Sequence, residues 1–126
     1  MAGPIRDYRD LVAWQQAIEL ALECRSVARK LPRSEWELAS QLRRASTSVH
    51  LNIAEGNGRP TLTDYVKYLG NAQSSLNEVD SGLRFVSRLI PGMPEVRIAL
   101  TRVVSVAKPL AGLKKSLEKK LGNEER

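Results

Sequence analysis

Cysteine is nearly absent from this chain, and its one copy, Cys24, excludes an internal disulfide and any thiol-paired metal site. Histidine is as scarce, with His50 standing alone. A triad of Ser48, His50 and Glu55 fails on geometry, because residues two and five apart on a helix do not converge. The Glu-x-x-His motifs that a di-iron bundle requires are missing. No apolar run approaches the roughly 20 residues that span a bilayer. The opening residues, Met1 to Asp7, lack the apolar stretch of a signal peptide. Strand signals are nearly absent too. These gaps point to a cytoplasmic, non-enzymatic, helical protein with no metal and no cofactor.

What is present is helical periodicity, punctuated three times. The breaks fall at Leu31-Pro32-Arg33, at Gly56-Asn57-Gly58-Arg59-Pro60 and at Pro91-Gly92-Met93-Pro94. They predict helices over 8–31, 35–57, 62–90 and 94–121, in a chain whose 126 residues suit one domain. Connections of only a few residues force antiparallel neighbours, so the expected fold is all-α, an antiparallel up-down-up-down four-helix bundle.

The first helix carries two apolar stripes. Ala13, Ala17, Leu20, Cys24, Val27 and Leu31 form one, which makes Cys24 a small core hydrophobe. Leu11, Trp14, Ile18, Ala21 and Ala28 form the second, interrupted by Arg25. Together they cover close to half the helix, more than the stripe a single bundle core uses. Such a helix either lies between two neighbours of its own bundle or also meets another subunit. On the second reading Leu11, Trp14 and Ile18 are candidates for the oligomer interface.

The remaining helices read more simply. Ser34 and Glu37 have capping-box spacing, followed by the core face Leu38, Leu42, Ala45, Val49, Ile53 and Gly56. Gly56 and Gly58 are expected to supply left-handed helix stops. The third helix takes Thr61 or Thr63 as its cap and keeps Tyr65, Tyr68, Leu69, Ala72, Leu76, Val79, Leu83, Val86 and Ile90 in register. The fourth follows Val96, Leu100, Val103, Ala107, Leu110, Leu117 and Leu121. Inside it, Pro109 removes an amide donor and is expected to kink or loosen the helix. Pairing about a turn near Arg59 predicts that Arg44 or Gln41 meets Glu78 across the second and third helices.

Charge is unbalanced, with 20 Lys and Arg against 14 Asp and Glu, a net +6. That excess favours polyanions, although a small domain also carries such a charge for solubility alone. The cations fall into two groups. One surrounds the first turn and includes Arg25, Arg43 and Arg44. The other lies along the last helix, at Lys108, Lys114, Lys115, Lys119 and Lys120. Tyr65, Tyr68 and Trp14 are in register with the core, so the expectation is a grip on nucleic-acid backbone rather than readout of bases.

The second and third helices resemble a known family. Gln41-Leu42-Arg43-Arg44-Ala45, Ser48-Val49, Asn52-Ile53-Ala54-Glu55-Gly56 and Gly58-Arg59 are similar to the signature of the bacterial "four helix bundle protein" family. Its members include proteins encoded within intervening sequences of large-subunit ribosomal RNA genes, and the accessory variability determinants of diversity-generating retroelements are related. Tyr65-Val66-Lys67-Tyr68-Leu69, Ala72, Ser75 and Glu78 match the next block, and Asp10-Leu11-Val12-Ala13-Trp14-Gln15 resembles the usual opening. The likeness is densest over 41–59 and fades in the fourth helix, where Pro109 is unusual; Ser74 stands where a glycine is common.

The resemblance implies a homopentameric four-helix bundle with a basic surface. For the retroelement relatives it implies binding to nucleic acid and to a reverse transcriptase. It gives Gln41, Ser48, Asn52, Glu55, Gly56 and Glu78 as structural signature positions. The expected function is backbone-type binding of DNA or RNA, with Arg43, Arg44, Arg59, Lys67, Lys114, Lys115, Lys119 and Lys120 as candidate contacts. The alternative is a protein-interaction scaffold with no nucleic-acid role.

Overall fold

The structure, a computed structural model, describes residues 7–124. It contains four helices: α1, Val12–Lys30; α2, Trp36–Asn57; α3, Leu62–Leu89; and α4, Pro94–Glu124. Each helix packs on its neighbours in sequence, and α4 closes back on α1. The backbones of the diagonal pairs make no such close approach. The result is the antiparallel four-helix bundle that the short connections require.

Leu20, Leu42, Ile53, Leu69, Leu83 and Leu110 are fully buried, each contributing about 1.5–3 kcal/mol of transfer free energy. Both apolar stripes of α1 are used inside the chain. Ala13, Ala17, Leu20, Cys24 and Val27 are buried, and so are Leu11, Ala21 and Ala28 of the second stripe. The breadth of the arc follows from two partners, α2 and α4. Leu11, only 5% exposed, is therefore core rather than free interface. Trp14 packs on that core with its ring edge-on to Tyr8, 5.1 Å between centroids. Ile18 is half-buried. The width of the arc accordingly carries no evidence of a second subunit.

Several local expectations are corrected. The first helix does not begin at residue 8. A 3-10 turn, Tyr8–Asp10, comes first, with Asp7 accepting from the Arg9 amide, and Leu11 in extended backbone separates it from α1. The Ser34 capping box does not form. A second 3-10 turn, Arg33–Glu35, follows Pro32, and the Glu35 amide donates to the Pro32 carbonyl at 2.9 Å. The backbone satisfies itself there, and α2 starts without a side-chain cap. Thr61 does cap α3, accepting from the Asp64 amide at 3.1 Å.

Gly56 and Gly58 are not left-handed; among the described residues only Gly92, φ 87°, has positive φ. Gly56 is instead needed for close approach. A Cβ there would lie 2.9 Å from Tyr68 Cβ and 3.1 Å from Tyr65 Cδ1. Neither Arg44 nor Gln41 bonds Glu78. Ser48 faces Ser75, Leu42 faces Gly82 and Gly56 faces Tyr68. These pairs put the symmetry point of the hairpin near Leu62 rather than Arg59, so Arg44 is nearly level with Glu78, but the two side chains line different grooves, Arg44 beside Arg25 and Glu78 beside Phe85. In α4 the deepest residues include Ala99 and Val106, both fully buried, which shifts the core face away from Leu100 and Ala107. Pro109 does not end α4, which is helical on both sides of it.

Candidate nucleic-acid interface

The site begins with what α2 leaves outside. Leu42, Ser46, Val49 and Ile53 turn into the bundle. Helical spacing then carries Arg43, Arg44, Thr47, Ser48, Leu51, Asn52 and Glu55 to the outer surface. With Arg25 of α1 and Tyr68 of α3 these residues line an open groove of about 590 Å³. From Arg44 to Glu55 it follows α2 for roughly 16 Å at ~1.5 Å per residue.

Hydrogen bonds fix both rims. On the α1 side, Arg25 donates through Nη1 to the Ala21 carbonyl at 3.3 Å and through Nη2 to Thr47 Oγ1 at 3.2 Å. Thr47 in turn donates to the Arg43 carbonyl at 2.8 Å. On the α3 side, the Ser48 and Ser75 hydroxyls lie 2.8 Å apart. Asn52 Nδ2 donates to both the carbonyl and Oγ of Ser48, each at 2.9 Å. Ser48 and Asn52 thus act as the polar tie between α2 and α3, in the place where Glu78 was expected to act. Below them Asn57 Nδ2 donates to the Tyr65 hydroxyl at 3.0 Å.

Electrostatically the upper groove is unbalanced. Arg25, Arg43 and Arg44 have no carboxylate partner among the described residues. His50 is half-buried beside them. Desolvation first, and then the Arg25 charge, push its pKa below the usual histidine value, so it adds no cation at neutral pH. At the lower end Arg59 is held differently. Its Nη1 lies 3.8 Å from Glu55 Oε2, its Nη2 3.7 Å from Asp64 Oδ2, and its guanidinium carbon 5.5 Å from the centre of the Tyr68 ring.

The other sequence-derived candidates are not gathered here. Lys67 is exposed early in α3, outside the groove. Lys114 pairs with Glu118 at 3.3 Å and lies along Gly70. Lys115, Lys119 and Lys120 are exposed at the end of α4, a helix whose backbone makes no close approach to α2. The cations therefore form two separate patches, and the α2 patch lines a groove. Gln41 and Glu78 are both exposed and line a second groove with Leu38, Leu42, Ala45, Ser81, Gly82 and Phe85. Cys24 takes no part, its thiol pushed up to about 12 by burial.

Sequence reading missed Leu51 and Tyr68 as groove residues, and placed Arg25 in the basic group around the first turn without naming it as a contact. The signal for Arg25 was its interruption of an apolar stripe. Leu51 stood off every core register, and Tyr68 was read as core alone.

Comparison with known proteins agrees with the fold. A crystal structure of a protein with unknown function from the S23 ribosomal protein family of Bacteroides thetaiotaomicron superposes with a TM-score of 0.76 at 20% identity, covering 82% of this chain and 99% of that one. At that identity the likeness concerns the fold. No curated protein matches the chain. Among the described residues no helix is long and apolar enough to cross a membrane. The family model for the 23S rRNA-intervening sequence protein matches residues 9–91, the region holding α1, α2, α3 and the whole groove, and the chain belongs to that family.

Proposed function

We propose that this protein is a non-enzymatic accessory protein that binds nucleic-acid backbone through the α2 groove. The observation that carries the reading is the convergence of Arg25, Arg43 and Arg44, without carboxylate partners among the described residues, on one open surface of a chain with net charge +6. Guanidinium groups match phosphate oxygens in a planar fork, and each neutralised phosphate releases counterions. Thr47 and Asn52 add polar contacts beside them. The family's name, which refers to an intervening sequence in 23S rRNA, is consistent with a role close to RNA. Titration of labelled DNA and RNA at several salt concentrations tests the reading. Affinity that falls steeply between about 50 and 200 mM salt supports it. Absence of binding at low salt rejects it.

The same reading includes a homopentamer and a reverse-transcriptase partner, both from family resemblance. Five copies would multiply weak phosphate contacts by avidity. Exposed large hydrophobic side chains on all four helices, including Leu22, Leu51, Phe85 and Ile98, leave apolar surface for such an assembly. Light scattering after size exclusion decides it: a mass about five times 14.0 kDa is expected, and a single-chain mass removes the pentamer.

A scaffold role is favoured by one separate observation. The α2–α3 groove lined by Leu38, Leu42 and Phe85 leaves Phe85 56% exposed, a feature suited to a protein partner. Retained partner binding by a protein that ignores nucleic acid would select that reading.

A further inference from the structure

We infer that the α2 groove takes a single strand in preference to a duplex, with an unstacked base seated on the Arg59 guanidinium and Leu51. This deepens the proposed function and rests on it.

Phosphate binding alone leaves two residues without a use: Leu51 in the groove, and Arg59 just beyond its lower end, next to the lining residues Glu55 and Tyr68. Leu51 stands 55% exposed among arginines and hydroxyls, where an apolar side chain gains nothing from a phosphate. Arg59 is a poor phosphate ligand, because Glu55 and Asp64 already lie within 3.8 Å and 3.7 Å of its terminal nitrogens. What those carboxylates leave available is the flat face of the guanidinium. Its central carbon lies over the Tyr68 ring, 5.5 Å from the centroid. Stacking of unpaired bases on arginine planes and aromatic rings is how proteins hold single strands. A base pair inside a duplex has both faces covered and can use neither Leu51 nor Arg59.

The arrangement along the groove fits this division of labour. Arg25, Arg43 and Arg44 occupy one end, and Tyr68 with Glu55 occupies the other. A strand would lay its phosphates on Arg25, Arg43 and Arg44 and turn a base down onto Leu51 and the Arg59–Tyr68 pair. The carboxylates at the lower end repel phosphate there, which keeps the backbone at the arginine end. Because a duplex carries the higher charge density, electrostatics alone predicts the opposite preference. A preference for the single strand is therefore diagnostic.

The test compares a labelled thymidine strand of about 12 nucleotides with the duplex it forms with its complement, at one fixed low salt concentration. The expected result is at least about fivefold tighter binding of the single strand, the size of one stacked base. Arg59→Lys, which keeps the charge and removes the plane, and Leu51→Gln should each cut the single-strand to duplex affinity ratio several-fold. Equal or tighter duplex binding, or a ratio unmoved by both variants, overturns the inference while leaving backbone binding standing. No binding of either probe overturns both. A change in molecular mass in Leu51→Gln with an unchanged ratio assigns Leu51 to a subunit contact and overturns its role here.

Discussion

Gly56 shows how one missing atom sets the approach of two helices. Its hydrogen lies where a Cβ would come within 2.9 Å of the Tyr68 Cβ, an atom fixed by the backbone of α3. Gly56→Ala should therefore destabilise by about 1–3 kcal/mol, as overpacking does. Gly58, at φ −86° with its nearest neighbour 3.6 Å from the added atom, should accept alanine at no such cost. Urea midpoints of the two variants check the contrast. His50 gives a pH test at the same scale. Its folded pKa is depressed, so below its unfolded value near 6.5 the unfolded chain binds more protons, and stability falls as pH drops through that value. His50→Gln should flatten the change in urea midpoint between pH 7 and about 5.5; an equal slope in both proteins would dismiss the histidine. Neither effect was legible in the sequence, where Gly56 reads as a helix stop and His50 as a residue beside a core stripe. The reasons lie in α3 and α1.

At the scale of elements, periodicity carried most of the reading. The core face of α3 is the one the spacing predicts, because each helix needs one buried face and its apolar residues recur on it; in α2, Leu42, Val49, Ile53 and Gly56 are buried as expected, but Ala39 and Ser46 take the places of Leu38 and Ala45. Errors appear where backbone geometry competes with pattern. The 3-10 turns after Asp7 and Pro32 replace a helical start and a side-chain cap. Arg44 and Glu78 stand nearly level on α2 and α3 yet line different grooves, so the face each residue occupies, and not its height along the helix, keeps them apart. Pro109 is tolerated in α4, but its missing amide still leaves the Ser105 carbonyl without its helical donor. Pro109→Ala should stabilise by about 1–3 kcal/mol. A neutral or destabilising result in chemical denaturation would show that the proline fits a local distortion of the helix.

For the whole molecule, closure of the ring depends on α4 returning to α1. At one end of that seam Lys30 pairs with Glu95 at 3.0 Å, and further along it lies a polar clamp. Arg102 donates through Nε to both oxygens of Glu23 at 3.0 and 3.1 Å, through Nη2 at 2.9 Å, and through Nη1 to Gln16 at 2.8 Å. Both charged side chains are more than two-thirds buried, at 30% and 19% exposed. Arg102→Ala strands the Glu23 carboxylate and should cost about 1.5–3 kcal/mol. Lysine should not restore it, because the forked geometry is lost; full restoration by Arg102→Lys in thermal unfolding would reduce the clamp to a simple charge. The bundle was legible from the sequence because short connections and three breaks leave few alternatives. The site was legible in half: Arg25, Arg43 and Arg44 stood out as one basic group, whereas Leu51 and Tyr68 join them only once the helices are assembled. If those arginines meet phosphate, as proposed, the salt dependence of nucleic-acid binding reports it. Replacing both Arg43 and Arg44 by alanine should weaken binding and reduce the slope of log affinity against log salt by about two. Binding with an unchanged slope in that variant would place the contact elsewhere and contradict the account.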